Sequence, residues 1–188
     1  MRSVDFPVTA LLAVVGTFPD GSTAEITTIG AEGFVEIDSA LRQDIALRTS
    51  MCLVEGTVIR LPIGDFQRAI VEEPAFADLV YHAVRARSFV TEQLTLCGIH
   101  HTTEQRFARW LLLATHKLDT NLITITQESV SGLLGTRRAS ISIAATAIQK
   151  AGAIRNVRGR IEIVDRSALE ALSCPCYEEC KNVLEMLL

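Results

Sequence analysis

From Val8 to about Pro62 the apolar residues come in short, largely β-branched runs broken by turn formers: TALLAVVGTF, then Pro19-Asp20-Gly21, then STAEITTIG, then MCLVEGTVIRL. Runs of this length bounded by turn signals predict strands joined by hairpins. Several in succession predict a small antiparallel roll or barrel, with Gly30, Gly33 and Gly56 at its tight bends. From Ile63 to Glu73 the period becomes helical, with Phe66 and Ile70 four apart. Pro74 ends that helix and suits the first turn of the next. The next helix is long, from about Ala75 to Cys97. Phe76, Ala83, Val90 and Cys97 recur every seven residues along it, Val80 and Leu94 keep the matching offset, and Arg87 interrupts. Such a seam faces another helix, either one of the same chain or, as its place between two domains favours, its own copy in a second chain.

The pattern from His100 to Asp119 predicts an amphipathic helix capped by Thr102 or Thr103, with Phe107, Trp110, Leu111 and Ala114 facing inward. His100 and His101 are adjacent and point to different sides, and no histidine follows at i, i+4, so solvated or locally hydrogen-bonded imidazoles are expected rather than a metal site. A strand from Leu122 to Thr126 comes next, its last threonine placed to cap a short helix that turns Val130, Leu133 and Leu134 inward. That helix stops at Gly135, where a left-handed backbone costs little.

The second helix of this pair spans about 136–150, with Thr136 expected as its cap. At 100° per residue Ile141, Ala144, Ala145 and Ile148 share one face, while Ala139, Ser142, Ile143 and Thr146 lie opposite with Arg138 beside them. A small, mildly apolar outer face preceded by two arginines suits the major groove. Arg138 is placed to read guanine with its two-pronged head, Arg137 and Ser140 to meet phosphates, and Ile143 to touch a thymine methyl. AGAIRNVRGRIEIV then alternates as a hairpin, Ile154–Val157 and Arg160–Val164, turning at Arg158-Gly159. This wing clusters Arg155, Arg158 and Arg160 near its tip for phosphate contact. Short helix, glycine turn, arginine-led helix and basic hairpin together form the layout of a winged helix-turn-helix.

A net charge of −4 over 188 residues looks wrong for a DNA binder until it is divided along the chain. Residues 1–101 carry −6, residues 102–172 carry +4 and the remainder carries −2. Positive charge thus gathers where the reading module lies. No apolar run approaches the roughly 18 residues of a membrane span, and the first residues lack the features of a signal peptide, so a cytoplasmic protein with no membrane contact is expected. No Ser/His/Asp array, phosphate-binding glycine loop or H-E-x-x-H appears, and no enzyme is expected. Cys52 and Cys97 read as small core or seam residues. Cys174, Cys176 and Cys180 are close enough to invite zinc, iron-sulfur or redox chemistry. They lack a fourth ligand and a familiar spacing, so free thiols and no metal are expected.

The segment TEQRFARWLLLA followed by ITITQESVSGLLGTRRASISIAATAIQKAGAIRNVRGRIEIVDRSALEALSCPCY resembles the C-terminal half of the Crp/Fnr family of bacterial transcription regulators. DGSTAEITTIGAEGFV resembles the later strands of that family's cyclic-nucleotide-binding-type roll, and the heptad helix resembles its dimerisation helix. The resemblance implies an α+β chain in four parts: a partial antiparallel β-roll over 1–73, a dimerisation helix over 74–99, a winged helix-turn-helix over 100–172 and a cysteine-containing tail over 173–188. It implies a homodimer paired through helix 75–97, reading two-fold-related double-stranded DNA, with RNA polymerase as a further partner.

By the same resemblance Arg138 matches the base-reading arginine and Thr136 the phosphate-contacting helix start. Ala139 and Ile143 stand where other members carry further readers, so a different operator is implied. Members usually begin some fifty residues earlier, which implies a shortened sensor or a misplaced start. Arg48-Thr49 resembles the pair that holds a cyclic phosphate, but Ile37 occupies the place of a ribose-binding carboxylate. A cyclic nucleotide is therefore not expected, Arg48 is read as a surface or interdomain charge, and no cofactor is assigned. The alternative function is an interaction protein that pairs with a full-length relative through the heptad helix and has little DNA binding of its own.

Overall fold

The computed structural model describes residues 3–36, 47–157 and 159–186. In chain order the described elements are β1 (Ser3–Pro7), β2 (Leu11–Thr17), β3 (Thr23–Ile29), β4 (Thr49–Val54), β5 (Val58–Pro62), α1 (Ile63–Glu72), α2 (Pro74–His100), α3 (Thr103–Lys117), β6 (Leu122–Thr124), α4 (Gln127–Leu133), α5 (Arg138–Lys150), β7 (Ile154–Val157), β8 (Arg160–Ile163), α6 (Arg166–Leu172) and α7 (Cys176–Glu185). The fold is α+β. Antiparallel sheets β1-β5 and β3-β2-β4 make the roll, and β6-β8-β7 makes the wing sheet of the C-terminal module. Among the described residues no helix is long and apolar enough to cross a membrane.

Strand β2 holds the middle of the molecule. Leu11 to Val15 are all buried, because alternate side chains of a strand leave on opposite faces and both faces here are covered. Leu11, Ala13 and Val15 enter a core that continues through α3, α4, α5, the wing and the tail, while Leu12 and Val14 join Ala10, Ile29 and Val35 inside the roll. Two register shifts along β2, at Leu11/Leu12 against β4 and Val14/Val15 against β3, add local twist. Strand β4 lies at the edge of its sheet, which explains why Cys52, expected in the core, is exposed.

The end of the roll is closed by phenylalanines. Phe6, Phe34, Phe66 and Phe76 form a chain of ring contacts with centroids 5.5–6.1 Å apart, tying β1 to α1 and α2. At Gly56 the backbone of Thr9 and Ala10 comes so near that a Cβ would lie 2.4 Å from the Ala10 nitrogen, so only glycine fits.

The heptad seam of α2 faces its own chain. Val80, Val90 and Cys97 are buried, and Phe76, Ala83 and Leu94 pack against the cores beneath them. The expectation that these positions meet a second copy is thereby corrected. The partners are α1, β3 and α7, the last being the tail helix, which lies along α2. The side left open carries Tyr81, Leu96 and Ile99, with Arg85, Ser88 and Glu92 between.

A two-residue corner, His101-Thr102, joins α2 to α3 and is fixed by a capping box. The Gln105 amide donates to Thr102 Oγ1 at 3.3 Å, and the Thr102 amide donates to Gln105 Oε1 at 3.1 Å. Helix α3 is buried on nearly every side from Phe107 to Thr115, beyond the single inner face its periodicity predicts, because the roll, the C-terminal helices and wing sheet, and the tail surround it. Its C-terminal end is clamped to the roll by a buried ion pair between Lys117 Nζ and Glu32 Oε1 at 2.8 Å, and by Lys117 donating to the Thr28 carbonyl.

Candidate nucleic-acid interface

Helix α4 begins at Thr126, whose hydroxyl accepts from the Ser129 amide at 3.0 Å, and buries Val130, Leu133 and Leu134. It ends at Gly135, which takes the left-handed conformation at φ 58°. Arg106 of α3 donates to the Leu134 carbonyl at 2.6 Å and anchors this turn to the core.

Helix α5 starts at Arg138, with Arg137 in the capping position and, among the described residues, no side chain capping its first amides. Thr136, expected as the cap, instead belongs to the turn, its amide donating to the Ser131 carbonyl at 2.9 Å. The Ser140 and Ile141 amides donate to the Arg137 carbonyl, and the amides of Arg138 and Ala139 precede the first intrahelical bond, a helix end at which an anion is favoured by the donors and the helix dipole. This end opens onto a cleft whose opposite wall is the β2–β3 hairpin, with Phe18 and Ser22 facing Gly135, Thr136 and Arg137.

The two faces of α5 fall where the periodicity places them. Ile141, Ala144, Ala145 and Ile148 are buried, whereas Arg138, Ala139, Ser142, Ile143 and Thr146 are exposed. Ile143 is 70% exposed, unusual for a large aliphatic side chain on a rigid helix. Ser140 is half-buried and Arg137 exposed. The guanidinium of Arg138 faces the carboxylate of Glu128 on α4 at 3.6 Å, with both side chains largely in water.

The wing packs against the end of α5 through Gln149, whose side-chain oxygen accepts from the Asn156 amide at 2.9 Å. Strands β7 and β8 pair Val157 with Arg160 and Arg155 with Glu162, and the last two form a cross-strand ion pair at 3.0 Å. Gly159 takes φ 78° in the turn. Arg160 is exposed beside it, and Arg158 lies outside the described residues.

Of the effector candidates, Arg48 and Thr49 lie within the described residues. Arg48 and Thr49 are exposed, and Arg48 Nη1 donates to the adjacent Leu47 carbonyl at 2.9 Å. Ile37 lies outside the described residues.

One cluster differs from expectation. Cys174 and Cys176 are buried against Cys97 and His101 at the end of α2, the four ligand atoms all lying within 4.8 Å of one another. Cys180 points elsewhere, into the main core, where burial pushes its thiol up to about 11. The hydrogen bond from Cys174 holds the Cys97 thiol well below the usual range against the opposing effect of burial, and the Arg109 charge works in the same direction. The two residues that join Cys174 and Cys176 in this cluster are thus distant in sequence from the tail, and Cys180 is not among them. Their signal is the Cys97-x3-His101 spacing, which puts a thiol and an imidazole on one side of a helix end.

Residues 105–172 match the family model of the Crp-like helix-turn-helix domain. No curated protein matches the chain. Among solved structures, a CRP-family transcriptional regulator of Thermus thermophilus superposes with a TM-score of 0.76 at 18% identity, over 92% of this chain and 88% of that one. FixK2 of Bradyrhizobium japonicum superposes with a TM-score of 0.77 at 14% identity, with the same two coverages. A second regulator of Thermus thermophilus, of the CRP/FNR family, gives 0.73 at 12% identity, again over 92% and 88%. Residues 105–172 are therefore similar to the Crp-like helix-turn-helix domain, and the chain as a whole has the fold of these solved regulators.

Proposed function

We propose that this chain is a sequence-specific DNA-binding transcription regulator that works as a homodimer, with α5 as the helix that enters the major groove. The observation that carries the reading is the combination at α5: an uncapped N-terminus, two arginines at its start and a solvent-facing side of Ala139, Ser142, Ile143 and Thr146, beside a basic wing. Arg138 reads a guanine edge, Arg137, Thr136 and Ser140 hold phosphates, and Ser142 and Ile143 line the groove. Arg160, with Arg158, grips the backbone at the wing. Residues 1–73 serve as the partial roll, 74–99 as the pairing helix, 100–172 as the reading module and 173–188 as a tail that braces it.

Because the heptad seam is already occupied within the chain, the pairing face is the open side of α2 carrying Tyr81, Leu96 and Ile99. Pairing there sets two reading helices against half-sites about one DNA turn apart.

In-vitro selection of bound fragments followed by binding over a salt series tests this. Arg138→Ala is expected to relax preference at one base pair of each half-site by about 1–3 kcal/mol. Arg160→Ala is expected to weaken all sequences alike and to lower the salt slope by about one. Unchanged binding in both variants would reject α5 and the wing as the DNA face, and a monomer by sedimentation at binding concentrations would reject the paired reading.

A further inference from the structure

We propose that Cys97, His101, Cys174 and Cys176 form a tetrahedral zinc site that ties the end of α2 to the C-terminal tail. The inference does not depend on how the chain reads DNA.

The ligand set is assembled from two distant stretches. Helix α2 supplies Cys97 and, at its C-terminal boundary, His101, while the loop after α6 supplies Cys174 and the first residue of α7 supplies Cys176. Zinc with sulfur at about 2.3 Å and nitrogen at about 2.0–2.1 Å, in tetrahedral directions, sets ligand atoms roughly 3.5–3.8 Å apart. Cys176 Sγ and His101 Nδ1 are 3.6 Å apart, and Cys97 Sγ and Cys174 Sγ are 3.4 Å apart. The second distance is far longer than the ~2.05 Å of a disulfide, and all five cysteines are free. Each iron of a four-iron cluster takes its own thiolate, which spreads the sulfurs around the cluster, whereas all four ligand atoms here lie within 4.8 Å. Four protein ligands with no open position make a structural site, one that holds elements together.

The surroundings fit the charge of such a site. Loading zinc removes three thiol protons, leaving a centre of net charge −1 with neutral histidine. The guanidinium of Arg109, buried to 4% exposure, acts electrostatically on Cys97, Cys174 and Cys180, and its Nε has no hydrogen-bond partner among the described residues. Gln93, one turn before Cys97, donates from Nε2 to Cys176 Sγ at 3.3 Å, the kind of outer contact that orients a metal-bound sulfur. Among the buried apolar side chains, Cys97, Cys174 and Cys176 group with one another and apart from the aliphatic core that takes Cys180.

The test uses the full chain purified anaerobically without added metal. Elemental analysis is expected to find one zinc per chain. Replacement by cobalt(II) is expected to give the intense visible bands of a tetrahedral thiolate site. Cys174→Ser and Cys97→Ser lose the metal, Cys180→Ser and Cys52→Ser keep it, and His101→Cys keeps it with a shifted cobalt spectrum, which guards against loss through misfolding alone. Gln93→Leu lowers zinc affinity, read by chelator competition, by about 10–100-fold. The proposal is overturned by protein that carries no stoichiometric zinc and gives no tetrahedral cobalt spectrum. Iron with acid-labile sulfide, a Cys97–Cys174 disulfide in freshly isolated protein, or metal loss in Cys180→Ser equal to that in Cys174→Ser would each overturn it too.

Discussion

Trp110 on α3 donates its indole N–H to the carboxylate of Glu25 on β3 at 2.8 Å, joining the helix that supports the reading module to the roll. Burial pushes the Glu25 carboxyl above its ordinary value of 4.5, outweighing the Trp110 hydrogen bond and the charges of Arg109 and Lys117, which pull it down. A carboxyl raised in the folded state binds more protons folded than unfolded between the two values. Stability therefore declines as pH rises from about 4.5 to the raised value and is level beyond it. Urea titrations across that window should show the decline in the native chain and a flatter profile in Glu25→Gln. Identical slopes in the two proteins would mean that Glu25 is not the group responsible.

The Lys117–Glu32 pair is the second tie between the same two parts, and both side chains are almost fully enclosed. Lys117→Met strands a buried carboxylate and should cost roughly 3–5 kcal/mol in chemical denaturation. Adding Glu32→Leu should restore a large share of that loss, although the Gly30 amide and the Thr28 carbonyl lose the partners they have now. Simple additivity of the two single costs would show that the charges do not depend on each other.

Ile143 is exposed without supporting any core, so Ile143→Glu should leave the melting temperature unchanged within error. It should reduce DNA affinity at least tenfold, since a carboxylate in the groove meets the phosphate field. A variant that binds as the native chain does would place the groove on another side of α5.

Glu128 sits opposite Arg138 at 3.6 Å in water, a pairing of the class that contributes about 0–1 kcal/mol. Glu128→Gln should therefore barely alter stability while strengthening DNA binding, most visibly at low salt, because Arg138 no longer has a competing anion. Weaker binding in this variant would indicate that Glu128 positions Arg138 for its task.

The reading module was legible because its signals are local: a threonine cap, a left-handed glycine, a helix whose two sides differ by residue size, and a hairpin with glycine in the turn. The long helix misled at the level of partners. Its apolar recurrence correctly marked a buried stripe, but periodicity carries no information about which surface covers it, and the cover is the tail helix and the roll. Cys52 was misplaced for a related reason, since an apolar run does not reveal that its strand lies at a sheet edge. The thiol and imidazole cluster escaped because its halves lie more than seventy residues apart, joined only when α7 docks on α2.

The alternation along β2 has a consequence for control. Leu11, Ala13 and Val15 form the floor on which α3 and its module rest, so turning that module relative to the roll would wet those side chains and their partners at about 1.5–3 kcal/mol for each large aliphatic exposed. A ligand that moves the equilibrium must prefer the turned arrangement by at least the total, since a ligand binding both arrangements equally shifts nothing. The posture of α5 relative to the roll is thus written into a short strand, β2, on which the module carrying that helix rests.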